Sequence, residues 1–510
     1  MIGRKRVVLI RPQNDVGAMG IPLGLLRIGT MLKDAGYEVQ IADMSRLMDE
    51  GAILLAIDVL MIDPPLLFGV TCLTSEVASA VAISGYIKNY KGIIDVPVIW
   101  GGVHPTLFPE ETCADKSVDY VCIGEGDKSI VELARAIENG TSVKDIAGIA
   151  YKENGKVVVN PPNGYVDLES LPPIDYGLID LEDYVKTRNG IRSVPYQSSR
   201  GCPHHCGFCV NTATHNQEYR VKSASKVVRE IRDIEQKYGV NYIDFYDDNY
   251  FVDTERAADI AWGLYPSGEQ KKIGWFAECR VDYFREGRVD RSLLRICQRA
   301  GLSQMTLGAE SGSQRVLDAM GKGISVGHTL RSAGVLAQCK GITPNYSFMI
   351  GLPDETRQEH EMTVELARQV YHSCPYSLCR VVTYTPYPKT AIADELVKKG
   401  LLPEVPTLRG WLDKSVRELY TDRFSSKPWH NDKRFIDSII RYVNIAYGTY
   451  TADEMKHWWL KAFKKPFRYR AVLFVLLAQL RMRKVWTWLP LDGWLFAQME
   501  KVNRWAMERS

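Results

Sequence analysis

Short apolar runs alternate with helical patterns along the first part of the chain, and this alternation constrains the fold most. Strands are predicted at residues 7–10, 39–42, 67–70, 98–100 and 120–123, with helices at 23–35, 77–90 and 129–139. Such alternation gives a parallel sheet with helices on both faces. We therefore predict a doubly wound, Rossmann-like α/β domain over residues 1–140.

A second strand–helix series follows a proline-rich stretch. Residues 141–190 contain Pro161-Pro162 and Pro172-Pro173, and proline pairs do not fit inside a sheet, so this stretch is interpreted as a linker. Strands are then predicted at 242–246, 275–278, 305–307, 345–350 and 380–384, with helices at 224–238, 292–300 and 359–371. Successive βα units predict a partial, TIM-like (β/α)6 barrel over residues 191–400. A helical, aromatic-rich region is predicted over 401–510.

Composition narrows the class of protein. A chain of 510 residues is too long for one ordinary core, and its net charge of +3 gives no general reason to expect nucleic acid. Its longest apolar stretch falls short of the roughly 20 residues of a membrane span, and the first apolar run is too short for a signal peptide. We expect a cytoplasmic protein, in which the eleven cysteines do not form disulfides.

Three of the cysteines are closely spaced. Cys202, Cys206 and Cys209 form Cys-x-x-x-Cys-x-x-Cys, and three thiolates on one tight loop can ligate three irons of a 4Fe–4S cluster. The fourth iron would then be open to a small chelator. A structural zinc site with His204 or His205 as fourth ligand is an alternative on spacing alone. A redox dithiol is a weaker one.

The residues around this motif resemble the radical S-adenosylmethionine (SAM) superfamily. An aromatic residue, Phe208, directly precedes the third cysteine, and four further segments resemble the family's barrel motifs in order: 244–249, 308–312, 347–355 and 385–388. The resemblance implies that SAM binds the open iron and is cleaved to a 5′-deoxyadenosyl radical. It also implies an electron donor such as flavodoxin or ferredoxin.

The same resemblance implies a set of SAM-binding residues. These are Phe208, Asp247, Arg280, Glu310, Ser347, Gly351 and Tyr387. The carboxylate of Glu310 suits a ribose hydroxyl, and Gly351 is expected to let the adenosine approach the backbone. Salt bridges at the barrel mouth are an equally weighted explanation of Arg280 and Asp247. No side chain is assigned to the chemical step itself.

Loops at the predicted carboxyl ends of the first strands are rich in small residues, which let a planar ligand lie against the backbone. Ordinary tight turns explain each loop singly. Together they resemble the cobalamin-binding domain, which implies cobalamin contacts from Asp15, Gly20, Thr71, Leu73, Gly101, Gly102, Gly124 and Glu125. Gly17 stands where that domain's histidine belongs, so the cobalt lacks its usual protein lower ligand. His104 is interpreted as part of a turn.

The last 56 residues, 455–510, combine six tryptophans with many basic residues. From Lys456 onward 12 Lys and Arg face 3 acidic residues, a local net charge of +9. Such a segment can lie on an anionic membrane surface, or form a helical cap with a solvated basic face. Membrane contact would favour a lipid-like substrate over another small molecule. No nucleic-acid partner is expected.

Three functions are consistent with these motifs. The leading prediction is cobalamin-dependent methylation of an unactivated carbon by a radical SAM enzyme. The second is a radical cyclisation or rearrangement, of a tetrapyrrole or a lipid-like molecule, without methyl transfer. The third is a non-catalytic corrinoid-binding protein, which fits poorly with five barrel motifs in order.

Overall fold

The computed structural model describes residues 5–15, 20–47, 49–90, 95–162, 164–185, 190–268, 271–423, 427–448 and 478–479. The chain forms two compact units. One contains residues 1–307, 317–324 and 385–423; the other contains 308–316, 325–384 and 424–510.

The strands are β1 Arg6–Arg11, β2 Glu38–Asp43, β3 Leu67–Thr71, β4 Val98–Gly101, β5 Tyr120–Cys122, β6 Ile149–Glu153, β7 Lys156–Val159, β8 Ser193–Tyr196, β9 Ser199–Arg200, β10 Arg220–Val221, β11 Tyr242–Phe245, β12 Gly274–Arg280, β13 Leu302–Glu310, β14 Thr343–Ile350 and β15 Leu378–Thr383.

The α-helices are α1 Leu23–Asp34, α2 Glu50–Met61, α3 Val77–Lys88, α4 Val103–Leu107, α5 Pro109–Ala114, α6 Ser129–Asn139, α7 Asn211–Thr214, α8 Ala224–Tyr238, α9 Thr254–Leu264, α10 Arg291–Ala300, α11 Gln314–Ala319, α12 Val326–Leu336, α13 Arg357–Ser373, α14 Ala391–Lys398, α15 Lys414–Thr421 and α16 Lys433–Tyr447.

The first sheet has seven strands in the order β2-β1-β3-β4-β5-β6-β7. From β2 to β5 the neighbours are parallel. Strands β1 and β3 are continuous apolar runs because parallel strands covered by helices are buried on both faces. The Rossmann-like prediction is confirmed. Sequence analysis did not predict α2, whose apolar residues include Leu55 and Val59, both more than half exposed.

The predicted linker contributes two strands to this sheet. Strand β6 pairs antiparallel with β5, and β7 pairs antiparallel with β6. The turn between β6 and β7 places Asn154 at φ 51° and Gly155 at φ 75°, as a two-residue type I′ hairpin requires. The interpretation of 141–190 as a connector is therefore wrong for residues 149–159. The proline pairs come after β7, where they interrupt no ladder.

The second sheet follows the order β8-β11-β12-β13-β14-β15. Parallel pairing joins β8, β11 and β12 in one unit, and β14 and β15 in the other. The six strands form the predicted partial barrel. Sequence analysis missed β8 because Pro195 interrupts a four-residue run; the strand tolerates proline since β8 pairs only with β11.

Helices α15 and α16 lie in the described part of the predicted helical region. The basic, tryptophan-rich segment 455–510 lies outside the described residues, apart from Ala478 and Gln479. Among the helices that are described, none is both long and apolar enough to cross a membrane.

Candidate functional site

The three motif cysteines lie on a tightly anchored loop between β9 and α7. Gly201, at φ 81°, has its amide held by Asp248 Oδ2 at 2.9 Å, and a Cβ there would lie 1.8 Å from the carbonyl oxygen of Glu218. Further along, the amide of Gly207 donates to the Met320 carbonyl at 2.8 Å, and the Ile392 amide donates to the Gly207 carbonyl at 3.1 Å. Segments distant in sequence therefore fix the shape of the loop.

The three thiols differ in exposure. Cys206 is buried, and Cys202 and Cys209 are partly exposed. In the described part of the chain, no three His, Cys, Asp or Glu side chains converge on one metal position. In a cubane, each thiolate binds its own iron.

A cation lies directly beside the buried thiol. Arg280 Nη1 is 3.5 Å from Cys206 Sγ, its Nε donates to Asp282 Oδ1 at 2.9 Å, and its Nη2 donates to the Lys322 carbonyl at 2.6 Å. Burial raises the pKa of Cys202, and it raises the pKa of Cys209 to about 11. The positive charges of Arg280 and Lys322 act in the opposite direction and favour the thiolate forms that iron binds. Arg280 thus makes a salt bridge and also contacts a predicted cluster ligand.

A polar network that sequence analysis missed surrounds Cys202. Asn249 Nδ2 is 3.7 Å from Cys202 Sγ and donates to the Tyr283 hydroxyl at 2.9 Å. His204 Nε2 is 2.8 Å from the same hydroxyl. The imidazole that the zinc alternative would use is therefore hydrogen-bonded to Tyr283. Asn249 ends the 244–249 segment, so the motif itself was a signal for this residue.

Four of the predicted SAM residues belong to the same unit as the cysteines: Phe208, Asp247, Arg280 and Tyr387. Asp247 is buried, and its carboxylate accepts hydrogen bonds from the Ser198 amide at 2.7 Å and the Ser199 hydroxyl at 2.6 Å. It thereby holds the strand that leads into the cluster loop, a structural role. Phe208 has Lys322 Nζ 5.5 Å from its ring centre.

The other three predicted SAM residues, Glu310, Ser347 and Gly351, belong to the second unit. Glu310 ends β13 as a buried carboxylate at φ 61°, a conformation that a residue other than glycine seldom adopts unless its surroundings hold it there. Along β14, burial alternates, and Ser347 shares the half-buried face with Asn345 and Met349.

Both peptide groups of Gly351 are held by side chains. Its amide donates to Glu355 Oε2 at 2.6 Å, and its carbonyl accepts from Trp429 Nε1 at 2.9 Å and from His430 Nε2 at 2.8 Å. A Cβ at Gly351 would lie 2.4 Å from His430 Nε2. The missing side chain therefore makes room for His430. The expected approach of adenosine to this backbone stays a prediction.

A cavity of about 300 Å³ opens at the carboxyl ends of β3, β4 and β5. Five of the predicted cobalamin residues line it: Thr71, Gly101, Gly102, Gly124 and Glu125. Glycines leave its floor without side chains, and Gly102 at φ 101° has no space for a Cβ, which would meet Cys72 at 3.1 Å. Its walls include Leu9, Ile28 and Ile130. Charged side chains, including Glu125 and Arg200, also line it. A slot with a bare floor, apolar walls and a few polar groups fits a flat heterocycle such as part of a corrinoid.

The remaining predicted cobalamin residues lie outside this cavity. Asp15 pairs with Arg417 Nε at 2.7 Å, and the Gly20 carbonyl accepts from Arg11 Nη1 at 2.6 Å. The Leu73 amide donates to Glu76 Oε2 at 2.8 Å. These bonds give the three residues structural roles. Gly17 lies outside the described residues.

His104 is a core histidine, and its interpretation as part of a turn is corrected, because it lies inside a short helix. It lies in α4, fully buried, with Nδ1 3.2 Å from Thr74 Oγ1 and its ring against Phe108 and Trp411. Burial lowers its pKa to about 3.

Ion pairs join the loop after β5 to both ends of the cysteine segment. Arg200 binds Asp127 through two hydrogen bonds of 2.8 and 3.2 Å, and Arg220 binds Glu125 through two of 2.6 and 2.9 Å. Burial works against ionisation of Glu125, but these arginines still hold its pKa below the ordinary value. Arg200 and Arg220 face each other in the β9–β10 pair. Sequence analysis missed Arg200, Arg220 and Asp127; the only signal was that Arg200 starts the Arg-Gly-Cys run.

These features define a class of protein: a radical SAM barrel with a cluster loop, preceded by a cobalamin-binding domain. Two family models match the chain, the B12 binding domain over residues 14–134 and the Radical SAM superfamily over residues 196–367. The chain is 30% identical over 409 residues to a protein of Pyrococcus horikoshii described as "Uncharacterized methyltransferase PH0819", covering 78% of this chain and 84% of the relative. The chain belongs to this family of cobalamin-binding radical SAM enzymes, whose cofactors are a 4Fe–4S cluster, SAM and cobalamin.

Two further similarities are informative. The anaerobic magnesium-protoporphyrin IX monomethyl ester cyclase of Rubrivivax gelatinosus is 27% identical over 410 residues, covering 77% of this chain and 70% of the cyclase. The radical SAM methyltransferase TsrM from Kitasatospora setae, solved with cobalamin and a 4Fe–4S cluster, superposes with a TM-score of 0.64 at 17% identity. That match covers 79% of this chain and 76% of TsrM, and it shows the shared fold.

Proposed function

We propose that this chain is a cobalamin-dependent radical SAM methyltransferase that acts on an unactivated carbon. When bound, SAM at the cluster supplies a 5′-deoxyadenosyl radical that removes a substrate hydrogen, and the corrinoid supplies the methyl group. The similarity to the methyltransferase of P. horikoshii supports methyl transfer.

One observation carries this proposal. Arg200, two residues before Cys202, lines the cavity that contains the predicted cobalamin residues and binds Asp127 there. The same residue therefore belongs to the wall of the corrinoid cavity and to the strand that leads into the cluster loop. The residues proposed to hold the cluster and those proposed to hold the corrinoid therefore belong to one unit of the fold, which supports a reaction that uses both cofactors.

The remaining parts of the site hold their groups in place. Asp248 and Gly207 fix the cluster loop, Arg280 places a positive charge beside Cys206, and Asp247 holds the strand before the loop. We retain Phe208, Arg280, Glu310, Ser347, Gly351 and Tyr387 as proposed SAM residues.

Anaerobic reconstitution with iron and sulfide tests the reaction. The reduced protein is incubated with SAM, with and without methylcobalamin, and 5′-deoxyadenosine and S-adenosylhomocysteine are quantified in wild type and Cys206→Ala. Deoxyadenosine from the wild type alone establishes radical chemistry, and cobalamin-dependent S-adenosylhomocysteine favours methyl transfer over cyclisation. A cluster-loaded protein that forms neither product contradicts the proposal and favours a corrinoid-binding role.

A cyclase is the second candidate, favoured by the similarity to the R. gelatinosus cyclase. Product mass separates the two, since methylation adds one carbon to the substrate and cyclisation does not. A cyclase would form deoxyadenosine without S-adenosylhomocysteine.

We further propose a cytoplasmic enzyme that receives electrons from a flavodoxin or ferredoxin. Its substrate is proposed to be a small molecule or a lipid-like one, and segment 455–510 is proposed to contact the membrane surface. The local net charge of +9 and the six tryptophans support this contact. Sedimentation with anionic vesicles, compared with neutral ones, tests it; equal binding to both would contradict it.

A further inference from the structure

His215 lines the predicted corrinoid cavity, although no sequence motif singles it out. It follows α7, six residues after Cys209, on the segment that runs from β9 to β10. The cluster segment, residues 199–221, thus supplies a histidine to the cavity. The first domain itself has Gly17 at the position where its motif would carry a histidine.

The turn after His215 is strained. Asn216 and Gln217 both adopt positive φ, at 43° and 62°, and neither is glycine. Such conformations cost free energy and persist only where the surroundings impose them. The amide of Glu218 donates to the His215 carbonyl at 2.9 Å and closes the turn. The surrounding structure therefore holds the backbone directly after His215 in a defined turn.

The other ionisable nitrogen- and oxygen-bearing groups of the cavity are already paired. Arg200 binds Asp127, Arg220 binds Glu125, and Arg27 donates to the Pro172 carbonyl at 2.7 Å and lies 4.0 Å from Asp127. Each of these charged groups thus has an opposite charge or a backbone carbonyl beside it.

His215 differs from these groups. Its Nδ1 is buried, has no hydrogen-bond partner among the described residues, and lies 4.0 Å from Glu125 Oε1. Burial lowers the pKa of the imidazole, which favours the neutral ring. The ionised Glu125 favours the tautomer with the proton on Nδ1, leaving Nε2 as an acceptor. A neutral acceptor in a cavity of paired charges suits an amide N–H, the donor that a corrinoid carries on its periphery.

We infer that His215 binds the corrinoid, through a hydrogen bond from one of the cofactor's peripheral amides to its imidazole nitrogen. The inference rests on the proposed function, because it assumes that this cavity holds cobalamin. It assigns the contact to the barrel's cluster segment and makes His215 a cofactor-binding residue without cobalt ligation.

Titration of hydroxocobalamin into the cluster-loaded, anaerobic protein tests the inference. We expect about a tenfold weaker affinity for His215→Ala and for His215→Phe, which preserves ring volume, since a buried acceptor is lost. His215→Gln retains an acceptor and should remain within about threefold of wild type. His372→Ala, an exposed histidine on α13, is the control and should bind like wild type.

Electron paramagnetic resonance of bound cob(II)alamin gives a readout independent of activity. We expect the same nitrogen splitting on cobalt in wild type and variants, since any such splitting would come from the cofactor's own benzimidazole; splitting that His215→Phe abolishes would show ligation by His215 and overturn the hydrogen-bond assignment. Unchanged affinity in both His215→Ala and His215→Phe would also overturn it, while the proposed function would stand. A wild type that binds no cobalamin would refute the cobalamin part of the proposed function, and this inference with it.

Discussion

At the scale of single residues, Arg280 places a positive charge beside the buried thiol of Cys206. A cation next to a cluster favours its reduced, more negative state. For Arg280→Gln we expect a more negative midpoint potential, measured by a redox titration followed by paramagnetic resonance. Arg299→Gln, an exposed arginine on α10, is the matched control. Equal potentials for Arg280→Gln and wild type would show that this charge does not influence the cluster.

His104 shows what burial does to a titratable core residue. Its pKa of about 3 lies below the ordinary value of about 6.5, so the unfolded chain binds a proton between these pH values and the folded chain does not. The contribution of His104 to the free energy of unfolding is therefore fully present above about pH 6.5 and is lost as the pH falls towards 3. Between pH 6.5 and 5.5 the wild type should lose about 1 kcal/mol more than His104→Gln, measured by urea unfolding. If the free energy of unfolding changed with pH in the same way for wild type and His104→Gln, this expectation would be contradicted.

At the scale of elements, the β6–β7 hairpin depends on its turn. Gly155 at φ 75° occupies a left-handed position, where alanine costs about 1 kcal/mol. Gly85 lies inside α3 with open space around a Cβ, so alanine there should stabilise by about 0.5–1 kcal/mol. We expect opposite shifts in melting temperature for Gly155→Ala and Gly85→Ala. Shifts of the same sign would refute the assigned turn.

The Gly351 turn after β14 is held by two donors from outside the barrel motifs, Trp429 and His430. If this turn contacts SAM, Trp429→Phe and His430→Phe should each weaken SAM affinity about three- to tenfold, since each removes one hydrogen bond. The shift of the reduced cluster's paramagnetic spectrum on SAM addition measures this affinity. Trp262→Phe, an exposed tryptophan, is the control. Lower stability with unchanged SAM affinity would leave the donors a purely structural role.

At the scale of the whole molecule, the buried Arg200–Asp127 pair links the Rossmann-like sheet to the cluster segment within one unit. Removing one partner of a buried pair leaves an uncompensated charge, so Arg200→Gln should cost about 3 kcal/mol of unfolding free energy and reduce bound cobalamin. Adding Asp127→Asn should recover part of that loss. Arg192→Gln, at an exposed pair with Glu182, should cost less than about 1 kcal/mol. Strict additivity of the two buried substitutions would show that they are uncoupled.

Sequence alone predicted most of the strands and helices in their order, because the periodicity that defines them is local. It also predicted the cluster loop from the spacing of Cys202, Cys206 and Cys209, because three ligands on one loop need only a short segment. It missed the β6–β7 hairpin even though Asn154-Gly155 is a strong turn signal, because the nearby proline pairs outweighed it in the interpretation. It also missed β8, where Pro195 disguises an edge strand.

Only the tertiary structure decided which loop residues share a cavity. Asp15 and Leu73 match the motif pattern, yet Asp15 pairs with Arg417, which lies 402 positions away along the chain. Arg200 and His215 match no cobalamin pattern, yet they line the cavity. The physical reason is that a side chain's partners are set by long-range packing. Periodicity and local spacing record which elements form, and contain no information about which distant charges and rings those elements bring together.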